Sequence, residues 1–215
     1  MKAAPEAQRH LLDVQAIDTA LQQLAHRRST LPSLSALNSV GREISDLDDE
    51  RIRAQVAVDD IDRDITRLER DTEQVRSRAE KDRSRLDAGS GPARELEALQ
   101  HEITSLSRRQ SELEDAELEL MEQRDVAQNS VDQAVAKLED ARQRQGQLQI
   151  ERDESLAAIA KEADEKLAAR QPMIAELPDD LVGLYDKIRE ASGGIGAALL
   201  RSGRCGGCRI ELSGG

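Results

Sequence analysis

Stepping by sevens from Val40, apolar residues recur in phase at Val40, Leu47, Ala54, Ile61, Leu68 and Val75. A companion track four residues on holds Ile44, Val58, Ile65, Ala79 and Leu86, with Arg51 and Thr72 as its polar members. Two such tracks are the a and d positions of a heptad repeat and predict a helix that buries one narrow seam over nearly seven heptads. A second set runs Leu99, Leu106, Leu113, Leu120, Ala127, Ala134, Ala141 and Leu148, with Leu96, Ile103, Val131 and Leu138 beside it. A disordered polar chain has no reason to hold this register, so 40–86 and 96–160 read as helix.

Between the seams lies DAGSGP, residues 87–92, the only Gly/Pro cluster in the middle of the chain. Such a cluster breaks a helix, and two long seams joined by so few residues fold back as an antiparallel hairpin with its tip at 87–93. Symmetry about that tip predicts that facing residues have numbers adding to about 180. The first arm has its own interruption at Ser29 to Pro32, giving a kink near 29–35 before a second start at Ser33 or Ser35. The kink is expected opposite 148–151, next to Gly146. Upstream, Leu11, Val14, Ile17, Leu21 and Leu24 stand at helical spacing, and 6–28 is expected to pair with 152–174 through Leu156, Ile159, Ala163 and Leu167. Arms of 75 to 80 residues at ~1.5 Å per residue make a rod on the order of 110 Å long, with no pocket expected along it.

Proline and glycine then mark a change. Pro172 and Pro178 bracket a linker, after which DDLVGLYDKIREA sets Leu181, Leu184, Tyr185 and Ile188 on one helical face. The segment 195–212, IGAALLRSGRCGGCRIEL, reads as a strand, a tight turn at Ser202 and Gly203, a CxxC turn and the start of another strand. The expected class is all-α: a long antiparallel coiled-coil hairpin over 1–175 with a small, incomplete zinc-ribbon-like β module over 176–215.

Composition agrees with a helical seam rather than a globular core. Charged residues make up 34% of the 215, there is one tyrosine, and Phe and Trp are absent, so burial must come from aliphatic side chains on repeating faces. A net charge of −12 disfavours wholesale wrapping of nucleic acid or an anionic membrane. No stretch approaches a membrane span, and MKAAPEAQRH lacks a signal-peptide core, so the expectation is a cytoplasmic protein without a membrane partner.

Cys205 and Cys208 are the only cysteines. Two thiolates at CxxC spacing form half of a tetrahedral zinc site. Gly206 and Gly207 suit the turn, which needs unusual backbone angles and close N–H approach to sulfur. A thioredoxin-like redox pair and an incidental pairing are the alternatives. The redox motif belongs before a helix in a βαβ unit, whereas RIEL reads as a strand. His10, His26 and His101 read as solvated helix residues rather than the missing ligands.

The run GPARELEALQHEITSLSRRQSELEDAELELME at 91–122, with LPDDLVGLYDKIREASGG and GRCGGCRIEL, resembles the bacterial four-cysteine zinc-ribbon proteins that carry an N-terminal coiled-coil hairpin. The resemblance covers essentially the whole chain. It implies a second CxxC some tens of residues after the first; Cys205 and Cys208 match the first pair, and the second has no counterpart in this sequence. The expectation is therefore a shortened product, with a naturally short variant or a zinc shared between two chains as the alternatives, zinc expected for a complete ribbon and weak or absent binding by two thiolates alone. The family is linked to RNA and transcription, including sigma-factor binding and control of secretion or flagellar genes, which implies a protein partner in that machinery.

Residues 187–215 add a modest hint of their own. Lys187, Arg189, Arg201, Arg204 and Arg209 stand against Glu190 and Glu211, and Arg201, Arg204 and Arg209 flank the CxxC where they suit phosphate contacts with RNA or DNA. Solubilising a glycine-rich turn is the competing explanation, since no stacking aromatic accompanies them. The tip residues Gly89, Ser90, Gly91 and Pro92 either permit chain reversal only or form a contact surface. No Ser/His/Asp set, phosphate loop or carboxylate pair can be assembled, and Gly193 to Gly196 lacks the strand–loop–helix setting of a phosphate loop, so an enzyme is not expected. Two functions stand: a non-enzymatic adaptor that docks protein through the hairpin and nucleic acid or protein through the ribbon, or a structural spacer or chaperone-like docking rod without nucleic acid. The oligomeric state is left open.

Overall fold

A computed structural model describes residues 3–211. Its elements in order are α1 (Pro5–Ser29), α2 (Pro32–Asp87), α3 (Ala93–Ala175), α4 (Asp179–Ala191), β1 (Leu200–Arg201) and β2 (Arg204–Cys205). The chain forms two compact units, Val40–Arg144 and Met1–Ser39 with Gln145–Gly215.

The unit 40–144 is an antiparallel helical hairpin, and its seam is the heptad pattern realised. Every a/d residue named above within it is buried or half-buried, and Val58, Leu106, Leu113, Val131, Leu138 and Ala141 are among the most enclosed. The two polar members differ. Arg51 turns its Nε to Asp48 Oδ1 at 3.0 Å, while the Thr72 hydroxyl is buried with no hydrogen-bond partner among the described residues. Cross-arm ion pairs join Arg124 to Asp62, Lys137 to Glu50 and Arg144 to Glu43. The numbers in these pairs add to 186 or 187 rather than to about 180. The direction of that offset follows from helix geometry, because side chains on both arms lean toward their own N-terminus and so meet partners further along the chain. Nearer the tip the sums scatter, 180 for Arg78 with Glu102 and 190 for Arg76 with Glu114. The Arg144 fork meets both Glu43 oxygens, at 2.7 and 3.1 Å, and this bond holds the Glu43 carboxyl below its ordinary range.

In the other unit, α1 lies along the end of α3, with Arg27 against Glu162 and Arg170 against Asp18. Leu24 and Leu31 pack with Ile159, flanked by Leu34, Leu156 and Ala163. The break between α1 and α2 therefore sits against 156–163, not 148–151, and α3 passes through Gly146 without interruption. Proline at the first position of α2 starts that helix without losing a needed N–H. Helix α3 also continues through Pro172 to Ala175, because Met173 and Ile174 pack onto the cluster of Leu11, Val14, Leu177, Leu181 and Tyr185. Leu167, expected on the pairing face, is 48% exposed. Helix α4 buries Leu181 and Tyr185 but leaves Leu184 and Ile188 exposed. Its inward face is rotated toward Val182 and Arg189, where the ionic partners of Asp18 lie.

The β structure is smaller than expected. Strands β1 and β2 pair antiparallel, with Leu200 opposite Cys205 and Arg201 opposite Arg204, and one further bridge joins Arg204 to Glu211. Ser202 and Gly203 form the turn with φ of 48° and 77°, the two positive values a type I′ hairpin requires. Residues 195–199 are not a strand, because the N–H groups of Gly196 and Ala197 are taken by the side chain of Gln15. The expected continuation at Leu212 lies outside the described residues.

Candidate functional site

The CxxC turn leaves β2 and is closed by its own backbone. Cys205 N–H donates to Ile210 O at 3.0 Å and Arg209 N–H to Cys205 O at 2.9 Å. Gly206 N–H donates to Leu199 O at 2.8 Å, pinning the turn to the segment before β1. The backbone N–H groups of Cys208 and Gly207, followed by the Cys208 thiol, donate to the Cys205 sulfur and hold its pKa below that of an ordinary thiol. Donors aimed at a sulfur favour the thiolate, the form that binds metal. Cys205 is half-buried and Cys208 exposed.

The two glycines inside the motif answer to space rather than to backbone angle. Neither has positive φ; that conformation falls on Arg209, at 61°. A Cβ on Gly206 would meet Leu199 O at 3.0 Å, and one on Gly207 would meet Ala198 Cβ and Ile195 Cγ2 at 3.1 Å each. A side chain at either position would require 195–199 to give way by a few tenths of an ångström.

Two thiols at this spacing could supply two of the four donors of a tetrahedral site. Among the described residues no three His, Cys, Asp or Glu side chains gather into a metal cluster. His10 pairs instead with Glu176, at 3.5 Å.

Arg201, Arg204 and Arg209 are all exposed around the turn. Arg204 also donates from Nε to Arg209 O at 3.0 Å. Arg189 is no part of that surface, because its Nη1 lies 3.0 Å from Asp18 Oδ2. At the hairpin tip, Gly89 adopts φ 61° and its N–H donates to Leu86 O, so it ends α2 in the left-handed conformation common after a helix. Pro92 O then accepts from Glu95 and Leu96, starting α3. Gly89, Ser90, Gly91 and Pro92 are all exposed.

A buried polar cluster ties α1, α3 and α4 together, and the sequence pattern did not announce it. Asp18, whose side chain is 1% exposed, receives Arg170 Nε at 2.7 Å, Arg170 Nη2 at 3.1 Å, Arg189 Nη1 at 3.0 Å and Tyr185 OH at 2.8 Å. Tyr185 is the single tyrosine; burial, then its bond to Asp18, pushes its pKa well above the ordinary phenol value. Gly196 passes so near the Tyr185 ring that a Cβ would sit 2.7 Å from it, which explains glycine there without any phosphate. One signal was legible. Asp18 stands four residues after Val14 and seven after Leu11, on the apolar face itself, where a charge calls for buried partners.

Comparison with known proteins agrees with the helical part of this picture. Residues 14–193 match the CT398-like coiled coil hairpin domain. A protein of Mycobacterium tuberculosis is 38% identical over 215 residues, covering 100% of this chain and 87% of that relative. A solved structure from Mycobacterium smegmatis superposes with a TM-score of 0.87 at 30% identity, covering 99% of this chain and 88% of the other. The CT398 structure from Chlamydia trachomatis reaches 0.67 at 16% identity, covering 97% and 87%, a likeness of fold alone. By the match of its hairpin, the chain belongs to the CT398-like coiled coil hairpin domain family.

Proposed function

We propose that this protein is a non-enzymatic docking adaptor whose helical hairpin binds a protein partner. One observation carries the reading. In a hairpin whose apolar seam is already buried or half-buried, the neighbouring pairs Ile52 with Val56 and Leu118 with Met121 remain 45 to 60% exposed on α2 and α3. Large apolar side chains one helical turn apart and turned to water favour contact with another protein over a bare spacer. The test is affinity capture of the partner with the intact chain, with Ile52→Glu and Leu118→Glu, and with 87–93 replaced by a minimal Gly-Ser loop. Loss of the partner in the face variants supports docking along the arms, loss with the tip variant assigns it to the tip, and an unchanged partner set overturns the reading.

The CxxC turn is the adaptor's second contact. In this reading Cys205 and Cys208 are the first half of a zinc ribbon, as the resemblance to four-cysteine ribbons implies; a complete ribbon would hold a zinc ion that stiffens the turn, and two thiolates alone bind it weakly or not at all. Arg201, Arg204 and Arg209 then face RNA, DNA or the transcription or secretion partner from a fixed frame. Zinc per chain, measured for the protein and for Cys205→Ser with Cys208→Ser, tests the metal. A gel shift with RNA and duplex DNA, repeated after Arg201, Arg204 and Arg209 are changed to Glu, tests the patch, and no shift with either chain removes nucleic acid from the reading. No described helix is long and apolar enough to cross a membrane, and the proposed setting is the cytoplasm.

A further inference from the structure

Segment 194–199, on which the CxxC turn rests, has little backbone pairing of its own. Its polar groups go largely to one side chain. Gln15 on α1 is 8% exposed, and its Nε2 donates to Gly194 O at 2.9 Å and to Thr19 Oγ1 at 3.0 Å. Its Oε1 accepts from Gly196 N–H at 2.6 Å and Ala197 N–H at 3.1 Å, and lies 3.3 Å from the Tyr185 hydroxyl, whose hydrogen goes to Asp18. The partners dictate which way the amide faces. Thr19 spends its own hydroxyl hydrogen on Gln15 O, at 2.8 Å, so it must accept from the amide, while Gly196 and Ala197 are donors only. Gln15 thus plays the part of a strand partner, reading a carbonyl and two N–H groups in one short stretch. Gln22 adds a weaker hold, from Nε2 to Gly193 O at 3.2 Å.

The far side of that stretch is the floor of the CxxC turn. Leu199 O accepts from Gly206 N–H, and Ile195 and Ala198 line the space directly against Gly207. We infer that Gln15 is the positioning residue of the CxxC turn: its amide fixes segment 194–197 on α1, and that segment sets the seating and exposure of Cys205. The alternative is that Gln15 only satisfies buried polar groups, with the turn held by its own hydrogen bonds whatever segment 194–197 does.

Thiol reactivity separates the two. The full chain, kept in chelator so that metal plays no part, is alkylated with iodoacetamide and each cysteine is followed by peptide mass, beside amide hydrogen exchange. In Gln15→Met, which keeps shape and loses every amide bond, the Cys205 rate is expected to change on the order of tenfold, faster where exposure dominates and slower where loss of the turn's N–H donors dominates. Exchange should rise at Gly196, Ala197 and Gly206, with the amides of 40–144 unchanged. Unaltered Cys205 reactivity, or a change that appears only together with exchange throughout 40–144, overturns the inference. Should the variant not fold, the unmodified protein in sub-denaturing urea decides: Gly196, Ala197 and Gly206 amides opening in one step with Cys205 reactivity supports it, and separate steps overturn it. Neither readout involves zinc, so failure of the zinc reading leaves this result standing.

Discussion

Tyr185 on α4 donates its hydroxyl hydrogen to Asp18 on α1 across 2.8 Å, at a sequence separation of 167. The bond closes a buried cluster in which one carboxylate is shared by a phenol and two guanidinium groups. A carboxylate this enclosed is tolerable only with such partners, so α1, α3 and α4 must seat together or not at all.

Tyr185→Phe removes that bond while keeping the ring in the apolar cluster. Asp18 retains both arginines, so the expected loss is about 2 kcal/mol, the usual worth of a hydrogen bond to a charged group. Asp18→Asn should cost more, about 3 kcal/mol, because Arg170 and Arg189 are then left facing a neutral amide. Urea titrations that rank the two variants the other way would contradict this division of labour.

High pH should loosen the same cluster. The folded pKa of Tyr185 is raised, so its contribution is fully present below the unfolded phenol value of about 10 and is lost as pH climbs through the folded value. As the only tyrosine, it reports on itself: phenolate absorbance is expected to appear late and together with unfolding of α4. A titration with an ordinary midpoint and no structural change would refute a buried, bonded phenol.

Glycine substitutions should divide by surroundings. A Cβ at Gly183 in α4 or Gly146 in α3 meets nothing within 4 Å, so alanine is expected to stabilise each helix by about 0.5 to 1 kcal/mol. Gly196→Ala places a methyl 2.7 Å from the Tyr185 ring and the Tyr185 carbonyl, and should displace the loop and lower the melting temperature. Circular dichroism melts of the three variants check both signs.

In the hairpin, leucines at seam and outer positions should differ sharply. Leu113 is 3% exposed and Leu118 60% exposed. Leu113→Ala is expected to cost about 2 to 4 kcal/mol and Leu118→Ala less than about 0.5 kcal/mol. Partner binding should show the opposite order, with Leu118→Ala the more damaging.

Much of the helical architecture was legible because heptad spacing is a local property that needs no knowledge of distant residues. The seams from Val40 to Leu86 and from Leu96 to Leu148, the reversal at 87–93 and a tight turn at Ser202 and Gly203 all follow from period and turn chemistry. The exact pairing across the arms was not legible, since it depends on which way side chains lean as well as on where the loop lies. Apolar spacing puts Leu181, Leu184, Tyr185 and Ile188 on one face of α4, yet only Leu181 and Tyr185 are buried, and Arg189 reaches Asp18, an ionic demand that apolar spacing does not express.

The candidate site divides the same way. Cys205, Cys208 and the arginines beside them are visible as residue types at a spacing, and Gly206 and Gly207 as permission for a tight turn. What the sequence by itself determined was a two-armed helical seam with a CxxC appended. The tertiary structure alone decided what that turn rests on. A side-chain amide recruits backbone groups at a sequence separation of up to 182, and no periodicity encodes a hydrogen bond between a helix face and a distant loop.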